Sequence, residues 1–169
     1  MMAWVDQKNG LVADTVYCDN ELVAKDVAFK LPEIAFATAE SQAMGAMETP
    51  LIGLVEAMEA TFTKIGTDLG LVKASTPEKH NYEIRYVQNN ISGDGASAPV
   101  GCKAFITGVP KGVPAVEGEV GSGSEHEIAL AVYRYQLYVN GEELLCVDKL
   151  NSICRINGKD YFSEIAKHL

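Results

Sequence analysis

Positive charge is scarce in this chain. Lys and Arg number 14 against 23 Asp and Glu, a formal net charge of −9. A surface that grips nucleic acid needs clustered basic side chains to neutralise phosphates, so the balance excludes that class of binder. Acidic charge of this size otherwise serves solubility. Long apolar runs are absent too. Nothing approaches the ~20 consecutive apolar residues of a membrane-spanning helix. Met1 to Gly10 carries no apolar core of a secretory signal, which sets the expectation of a protein made and kept in a cytoplasm. The cysteines are Cys18, Cys102, Cys146 and Cys154, with no CxxC spacing. In a reducing compartment they read as small core hydrophobes, not as metal ligands or nucleophiles.

Catalytic constellations are missing as well. Gly118 and Gly123 have the spacing of a phosphate-binding loop, but Ser124 stands where the phosphate-reaching lysine belongs, and a strand pattern follows instead of a helix. The structural reading is a flexible glycine-rich loop. His80, His126 and His168 are scattered. Within Glu125-His126-Glu127, neighbours on a strand point to opposite faces, so the histidine cannot share an ion with the adjacent carboxylates. Glu125 and Glu127 share a face and read as a charged edge that discourages stray strand pairing. Glu56 and Glu59 form a carboxylate pair, but no nucleophile or cleft is placed beside them by the pattern. No cofactor or metal is implied.

What the sequence does have is apolar content, 47% over 169 residues, enough for one domain with a core. Val12–Cys18 and Leu22–Leu31 flank Asp19-Asn20-Glu21 and read as a first hairpin. The residues before Val12 are polar and read as a flexible arm over 1–11. Glu33–Thr38 reads as a strand. Residues 39–50 have small side chains, one glycine, one proline and no apolar face to anchor a helix, so they read as a long loop, and loops of this length tend to be functional. Leu51, Leu54, Val55 and Met58 follow helical spacing, whereas Met58, Ala60 and Phe62 alternate like a strand, and both patterns stay open on periodicity alone. Thr67 is a candidate cap for a short helix over 67–74, which Gly70 weakens. Tyr82, Ile84 and Tyr86 alternate clearly, Ser92-Gly93-Asp94-Gly95 marks a turn, and Cys102–Val109 returns.

The richest block is Ser124–Asp160. Ile128–Val139 is dense in β-branched and aromatic residues. One parity gives Ile128, Leu130, Val132, Arg134, Gln136 and Tyr138; the other gives Ala129, Ala131, Tyr133, Tyr135, Leu137 and Val139. Neither set is wholly polar, which predicts cover on both faces. Asn140-Gly141 is a two-residue hairpin signal, repeated at Asn157-Gly158. Asp160 is a candidate N-cap for an amphipathic tail with Tyr161, Ile165 and Leu169 on one face. The fold class is therefore mainly β, a barrel or sandwich of antiparallel strands with one or two short helices, in a single domain over 1–169.

Arg134-Tyr135-Gln136-Leu137-Tyr138, Asn140-Gly141-Glu142-Glu143-Leu144, Val147-Asp148 with Asn151, and Ile156-Asn157-Gly158-Lys159-Asp160 resemble, in order and spacing, the C-terminal half of the major tail tube proteins of contractile-tailed bacteriophages. Lys30-Leu31-Pro32, and Gly45 with Met47, fit positions of that family upstream, so the resemblance spans about 12–160. It implies a structural virion protein, not an enzyme. Such subunits form hexameric rings that stack into the rigid tube inside a contractile sheath, an architecture shared by R-type bacteriocins and the tube of type VI secretion. Implied partners are further copies of the chain, the sheath protein, the tape-measure protein and baseplate proteins. DNA would pass through the lumen without specific binding, between walls whose negative charge prevents sticking. The resemblance makes Glu40, Gln42, Met44, Met47 and Glu48 candidates for contacts between rings. Strands at 33–38, 55–65, 102–109 and 128–139 are candidates for the lumen, with Glu56 and Glu59 foremost. The rival reading from the residues alone is an acidic β-barrel holding a small molecule in its interior.

Overall fold

The structure is a computed structural model that describes residues 6–169. The strands are β1 (Gln7–Cys18), β2 (Glu21–Lys25), β3 (Phe29–Lys30), β4 (Phe36–Gln42), β5 (Ala46–Val55), β6 (Met58–Ile65), β7 (His80–Ile91), β8 (Ser97–Pro110), β9 (Glu125–Val139), β10 (Glu142–Asp148), β11 (Ile153–Ile156) and β12 (Lys159–Asp160). Two short helices are α1 (Leu69–Ser75) and α2 (Ser163–Ala166). All strand pairs are antiparallel. One ten-stranded sheet runs β12-β11-β10-β9-β8-β7-β1-β2, with β6 and then β3 branching from β9. Its hydrogen-bonded path does not close, so the barrel half of the fold expectation gives way to an open, folded-over sheet. β4 and β5 form a separate hairpin.

The turns follow the sequence closely. Asn140 and Gly141 take φ of 51° and 81°, and Asn157 and Gly158 repeat those values. Both central residues of each turn are thus left-handed, as a type I′ hairpin requires. Asp19 and Asn20 do the same at the β1–β2 turn. Asp148 closes the next connection. Its buried carboxylate accepts bonds from the Leu150 and Asn151 amides (both 3.1 Å), the Asn151 side chain (2.7 Å) and Arg134 (3.2 Å). The Asp148…Asn151 spacing is therefore a turn held by one carboxylate that also ties β10 to β9.

β9 explains why its two parities looked equally apolar. His126, Ile128, Leu130 and Val132 are buried, and then burial passes to Tyr135. The change falls at an irregularity in the β8–β9 ladder, where Thr107 faces Arg134 and Gly108 faces Val132. Tyr133 is the extra residue of this bulge, and its carbonyl accepts the Lys149 amide at 3.0 Å. An added residue reverses the facing of everything after it. Within the chain the buried face changes parity at Tyr133, passing from Val132 to Tyr135, and residues 136–139 are half-buried on both parities; cover of the averted face by a neighbouring chain, the other form of the expectation, is a matter of assembly. On the edge opposite β8, the first half of β9 pairs with β6 and the second half with β10.

The core lies inside this fold-over. Phe62, Tyr82, Ile84, Ile106, Ile128 and Leu130 are fully buried, and each large apolar side chain contributes about 1.5–3 kcal/mol by leaving water. The Tyr82 hydroxyl donates to the Ala74 carbonyl at 2.7 Å and pins α1 over the core. The cap of α1 is Asp68, which accepts from the Leu71 amide at 3.1 Å, and not Thr67, whose hydroxyl lies 3.4 Å from His126 Nε2. Four further expectations change. Gln7–Leu11 of the supposed arm belong to β1 and pair with β7, while residues 1–5 lie outside the described residues. Residues 39–50 form most of the β4–β5 hairpin instead of a loop, because a strand can pair locally without any apolar face. The helical alternative at Leu51–Met58 yields to β5 and β6. Asp160 stands two residues ahead of the α2 cap position, which is Phe162, and accepts the Phe162 amide at 3.0 Å.

Two outcomes test this account. A Cβ on Gly108 would come within 2.4 Å of the Ala131 carbonyl oxygen, a backbone atom that cannot swing away. Gly108→Ala is expected to destabilise by at least ~2 kcal/mol in urea unfolding, the range of overpacking, whereas Gly112→Ala, with open space around it, is expected to change little. For Asp148, burial alone would raise the pKa, but the Asn151 and Leu150 bonds and Arg134 outweigh it and hold the carboxyl below its usual range. A depressed pKa means stability that is present above the unfolded value, near ~3.9, and lost as pH falls through the folded value. Asp148→Asn should cost about 2 kcal/mol at pH 7 and lose less than the parent between pH 4 and lower. Equal acid slopes for the two proteins would refute the assignment.

Candidate assembly surfaces

Among the described residues, none packs around the outer part of the β4–β5 hairpin. Every residue from Thr38 to Ile52 is exposed, including Met44, Met47, Leu51 and Ile52. A lone two-stranded hairpin gains little in water from its own hydrogen bonds, so its shape depends on its register and its base. The register pairs Thr38 with Pro50, Glu40 with Glu48 and Gln42 with Ala46 on one face; Ala39–Thr49 and Ser41–Met47 lie on the other. Of the candidate ring-to-ring residues, Glu40, Gln42 and Glu48 therefore share a face, Met47 is on the reverse, and Met44 is at the tip. The tip is tight: Met44 sits at φ 52° and Gly45 at φ 113°, and the Ala43 amide donates to the Gly45 carbonyl at 2.9 Å. A methionine in the left-handed region is uncommon. Glu40 directly opposite Glu48 places like charges side by side, an arrangement that weakens a ladder.

The base of the hairpin is fixed by the C-terminus. Gly53 has φ 98°, and a Cβ there would lie 2.9 Å from Ile165 Cδ1 and 3.5 Å from the Phe162 ring. The missing side chain lets α2 seat against β5. Nothing in the periodicity of the sequence signals this contact, because it joins residues 53 and 165 across the whole chain.

Three of the four lumen-candidate segments fall on neighbouring strands, whereas 33–38 leads into β4 of the separate hairpin. β6, β9 and β8 are adjacent, and the core-averted face of β6 and β9 pairs Glu59 with Ala131, Thr61 with Ala129, Thr63 with Glu127 and Ile65 with Glu125. That face is built of small and acidic side chains. Glu59 makes an exposed ion pair with Lys111 at 2.6 Å, of the kind worth ~0–1 kcal/mol. Glu56 lies in the β5–β6 connection, and its amide donates to the Ala35 carbonyl at 2.8 Å. Glu56, Glu59, Glu33 and Lys30 line an open depression of about 290 Å³ with Thr61. Glu125 and Glu127 are exposed while His126 is buried, as strand alternation predicts.

Cys18, Asp19 and His80 bring ligand-type atoms within 4.8 Å of one another, a grouping that the sequence did not suggest. Their bonds are those of a turn lock. Asp19 accepts the Asn81 amide at 3.0 Å, and its other oxygen lies 2.6 Å from His80 Nδ1. His80 Nε2 lies 2.7 Å from the Thr76 hydroxyl. Burial and the Asp19 charge push the Cys18 thiol up to about 12, which keeps it neutral. Both imidazole nitrogens are occupied, and the cluster ties the β1–β2 turn to the end of α1.

A family model described as Phage tail tube protein FII matches residues 8–169. No curated protein matches the chain. Among solved structures, one chain of an extracellular contractile injection system, the PVC sheath–tube complex in the extended state, is similar with a TM-score of 0.51 and 14% identity, covering 74% of this chain and 87% of its own. A chain of the PVC sheath/tube terminator in the extended state is similar with a TM-score of 0.52 and 15% identity, covering 78% of this chain and 97% of its own. At these identities the likeness establishes the fold.

The hairpin base supplies a testable outcome. Gly53→Ala forces a side chain into the left-handed region, at about 1–2 kcal/mol, and pushes on Ile165. Unfolding in urea should show that loss. Gly45→Ala, which also has positive φ but meets nothing, should show the conformational penalty without any change in the proteolytic accessibility of α2. Equal accessibility of α2 in both variants would contradict the seating of α2 on Gly53.

Proposed function

This chain belongs to the phage tail tube protein FII family and is a structural tube protein, and from that premise we propose that it assembles as stacked hexameric rings forming the inner tube of a contractile tail. One observation carries the reading: the main sheet ends in open edges while a hairpin whose outer part, Thr38 to Ile52, is exposed throughout stands beside it. An open edge is a template for another strand. In a ring, each subunit would continue the sheet of the next, so that the closure lacking in one chain is supplied by the assembly. Different flanks meet in such a ring, a heterologous contact that rotation closes.

In this arrangement β6 and the first half of β9 offer the wall of the bore. Their averted face carries Glu59, Thr61, Thr63, Ile65, Glu125, Glu127, Ala129 and Ala131, small and acidic side chains with one isoleucine, and Glu56 would lie at its end. Phosphates moving past such a wall meet repulsion and find few donors to hold them, so DNA would slide. The hairpin, with Glu40, Gln42, Met44, Met47 and Glu48, would bridge stacked rings. The sheath protein would lie outside, the tape-measure protein inside before ejection, and a baseplate would start the tube; the sheath–tube complex among the structural neighbours supports the first of these. The protein would act in the virion tail after assembly in the host cytoplasm. A phage-derived bacteriocin tube would use the same contacts. The small-molecule barrel has less support, because the sheet encloses no interior by hydrogen bonding.

Negative-stain electron microscopy at rising protein concentration, beside gel filtration, tests the proposal. Rings or hollow rods of uniform width are expected, with a net negative bore in reconstructions. Replacing residues 39–49 by a short Gly-Ser turn removes only exposed side chains, so the monomer should keep its thermal midpoint and lose stacking. A wild-type protein that stays monomeric at every concentration, or a bore lined by net positive charge, would refute it.

A further inference from the structure

A second surface lies on the core-averted face of β7, β8 and β9, distant in sequence from the hairpin. Arg85 faces Lys103 across β7–β8, and Lys103 faces Tyr138 across β8–β9. One step toward the turn, Val87 faces Gly101, whose carbonyl accepts the Asn140 amide at 2.9 Å. Gly101 has no side chain, and a Cβ there would meet nothing within 4 Å. The result is an open cleft of about 690 Å³ with Gly101 beneath, Phe105 and Tyr138 along one side, and Arg85 and Lys103 at the rim. Phe105 and Tyr138 pack edge to face at 5.6 Å, which holds both rings in place. Phe105 is more than one-third exposed. Arg85 lies over the Tyr17 ring and bonds to Glu83, and Lys103 makes no ion pair among the described residues.

We propose that this cleft receives the β4–β5 hairpin tip of a second copy of the chain, with Met44 entering over Gly101 against the paired rings of Phe105 and Tyr138, and the Glu40–Glu48 pair meeting Lys103 at the rim beside Arg85. The inference rests on the tube reading and names the docking partner within it. Three observations favour this occupant. The tip holds a fully exposed methionine in a left-handed conformation that its own chain does nothing to cover, and methionine sulfur packs well at aromatic edges. The hairpin juxtaposes two carboxylates that make no ion pair among the described residues, and the cleft rim offers Lys103, likewise without an ion pair among the described residues, beside Arg85, which Glu83 engages. Hairpin and cleft are different patches of one chain, so docking one into the other is heterologous and propagates from subunit to subunit. The cleft has room for a few side chains and not for a folded domain. That size fits a hairpin tip.

Gly101→Leu fills the cleft without strain, since the position has neither positive φ nor a close neighbour. It should leave the thermal midpoint unchanged and raise the concentration needed for assembly at least tenfold in sedimentation assays. Glu48→Lys and Lys103→Glu should each do the same, and the double variant should return to within threefold of the parent. Tubes from Gly101→Leu at the parent's concentration, or a double variant no better than its singles, would overturn the docking while leaving the tube reading intact. A parent that forms no oligomer would overturn both. Should Gly101→Leu prove unstable, the charge exchange decides alone.

Discussion

The single extra residue at Tyr133 governs the architecture. Without it, β9 would present Ile128, Leu130 and Val132 to the core and then turn Tyr135 and Leu137 outward. The bulge reverses the facing once, so the buried face runs from His126 through Val132 and on to Tyr135. Gly108 makes this possible from the other side of the ladder, because any side chain there would strike the Ala131 carbonyl. The Lys149 amide donates to the Tyr133 carbonyl at the site, so the extra residue's acceptor is paired although it has left the β8 ladder.

The same bulge divides the edge of β9 between two partners. β6 occupies the first half and β10 the second. Two strands that share one edge end to end can diverge, and the sheet folds over on itself around Phe62, Tyr82 and Leu130 without closing. Packing is therefore complete within one chain while backbone pairing is not. The core supplies stability to the single chain, and under the proposed assembly the unclosed edges and the hairpin would be the contacts for other copies.

Local chemistry was readable where it depends on neighbours in sequence. The Asn-Gly turns, the Tyr82–Tyr86 alternation and the opposite facing of His126 and its flanking Glu125 and Glu127 are each set within a few residues, and each appears where the pattern places it. The hairpin over 39–50 was missed because strand pairing there has no hydrophobic signature; its register is fixed by the tip and by Gly53, which meets Ile165. The bulge was visible only as an anomaly, two apolar parities in one strand, and the anomaly admitted a second explanation in buried faces on both sides. The cap of α1 was displaced by one residue because Thr67 turns toward His126, a contact 59 positions away. Of the surface, the Glu40–Glu48 juxtaposition and the open floor at Gly101 are consequences of register, and register between strands is a tertiary property.

The charge placement follows from the demands on such an edge. An exposed strand pair rich in methionine and leucine would pair promiscuously with any other edge, and charge is the usual protection. Here the protection is specific: two glutamates opposite each other repel a second acidic hairpin and weaken their own ladder slightly, and only a surface bearing cations relieves both effects. In a chain with net charge −9, most surfaces do not qualify. Scarcity of positive charge, which first excluded nucleic-acid binding, thus also narrows where the hairpin can dock. Under the proposed docking, the few cations that stand beside apolar surface would select the geometry of assembly by leaving the other contacts unfavourable.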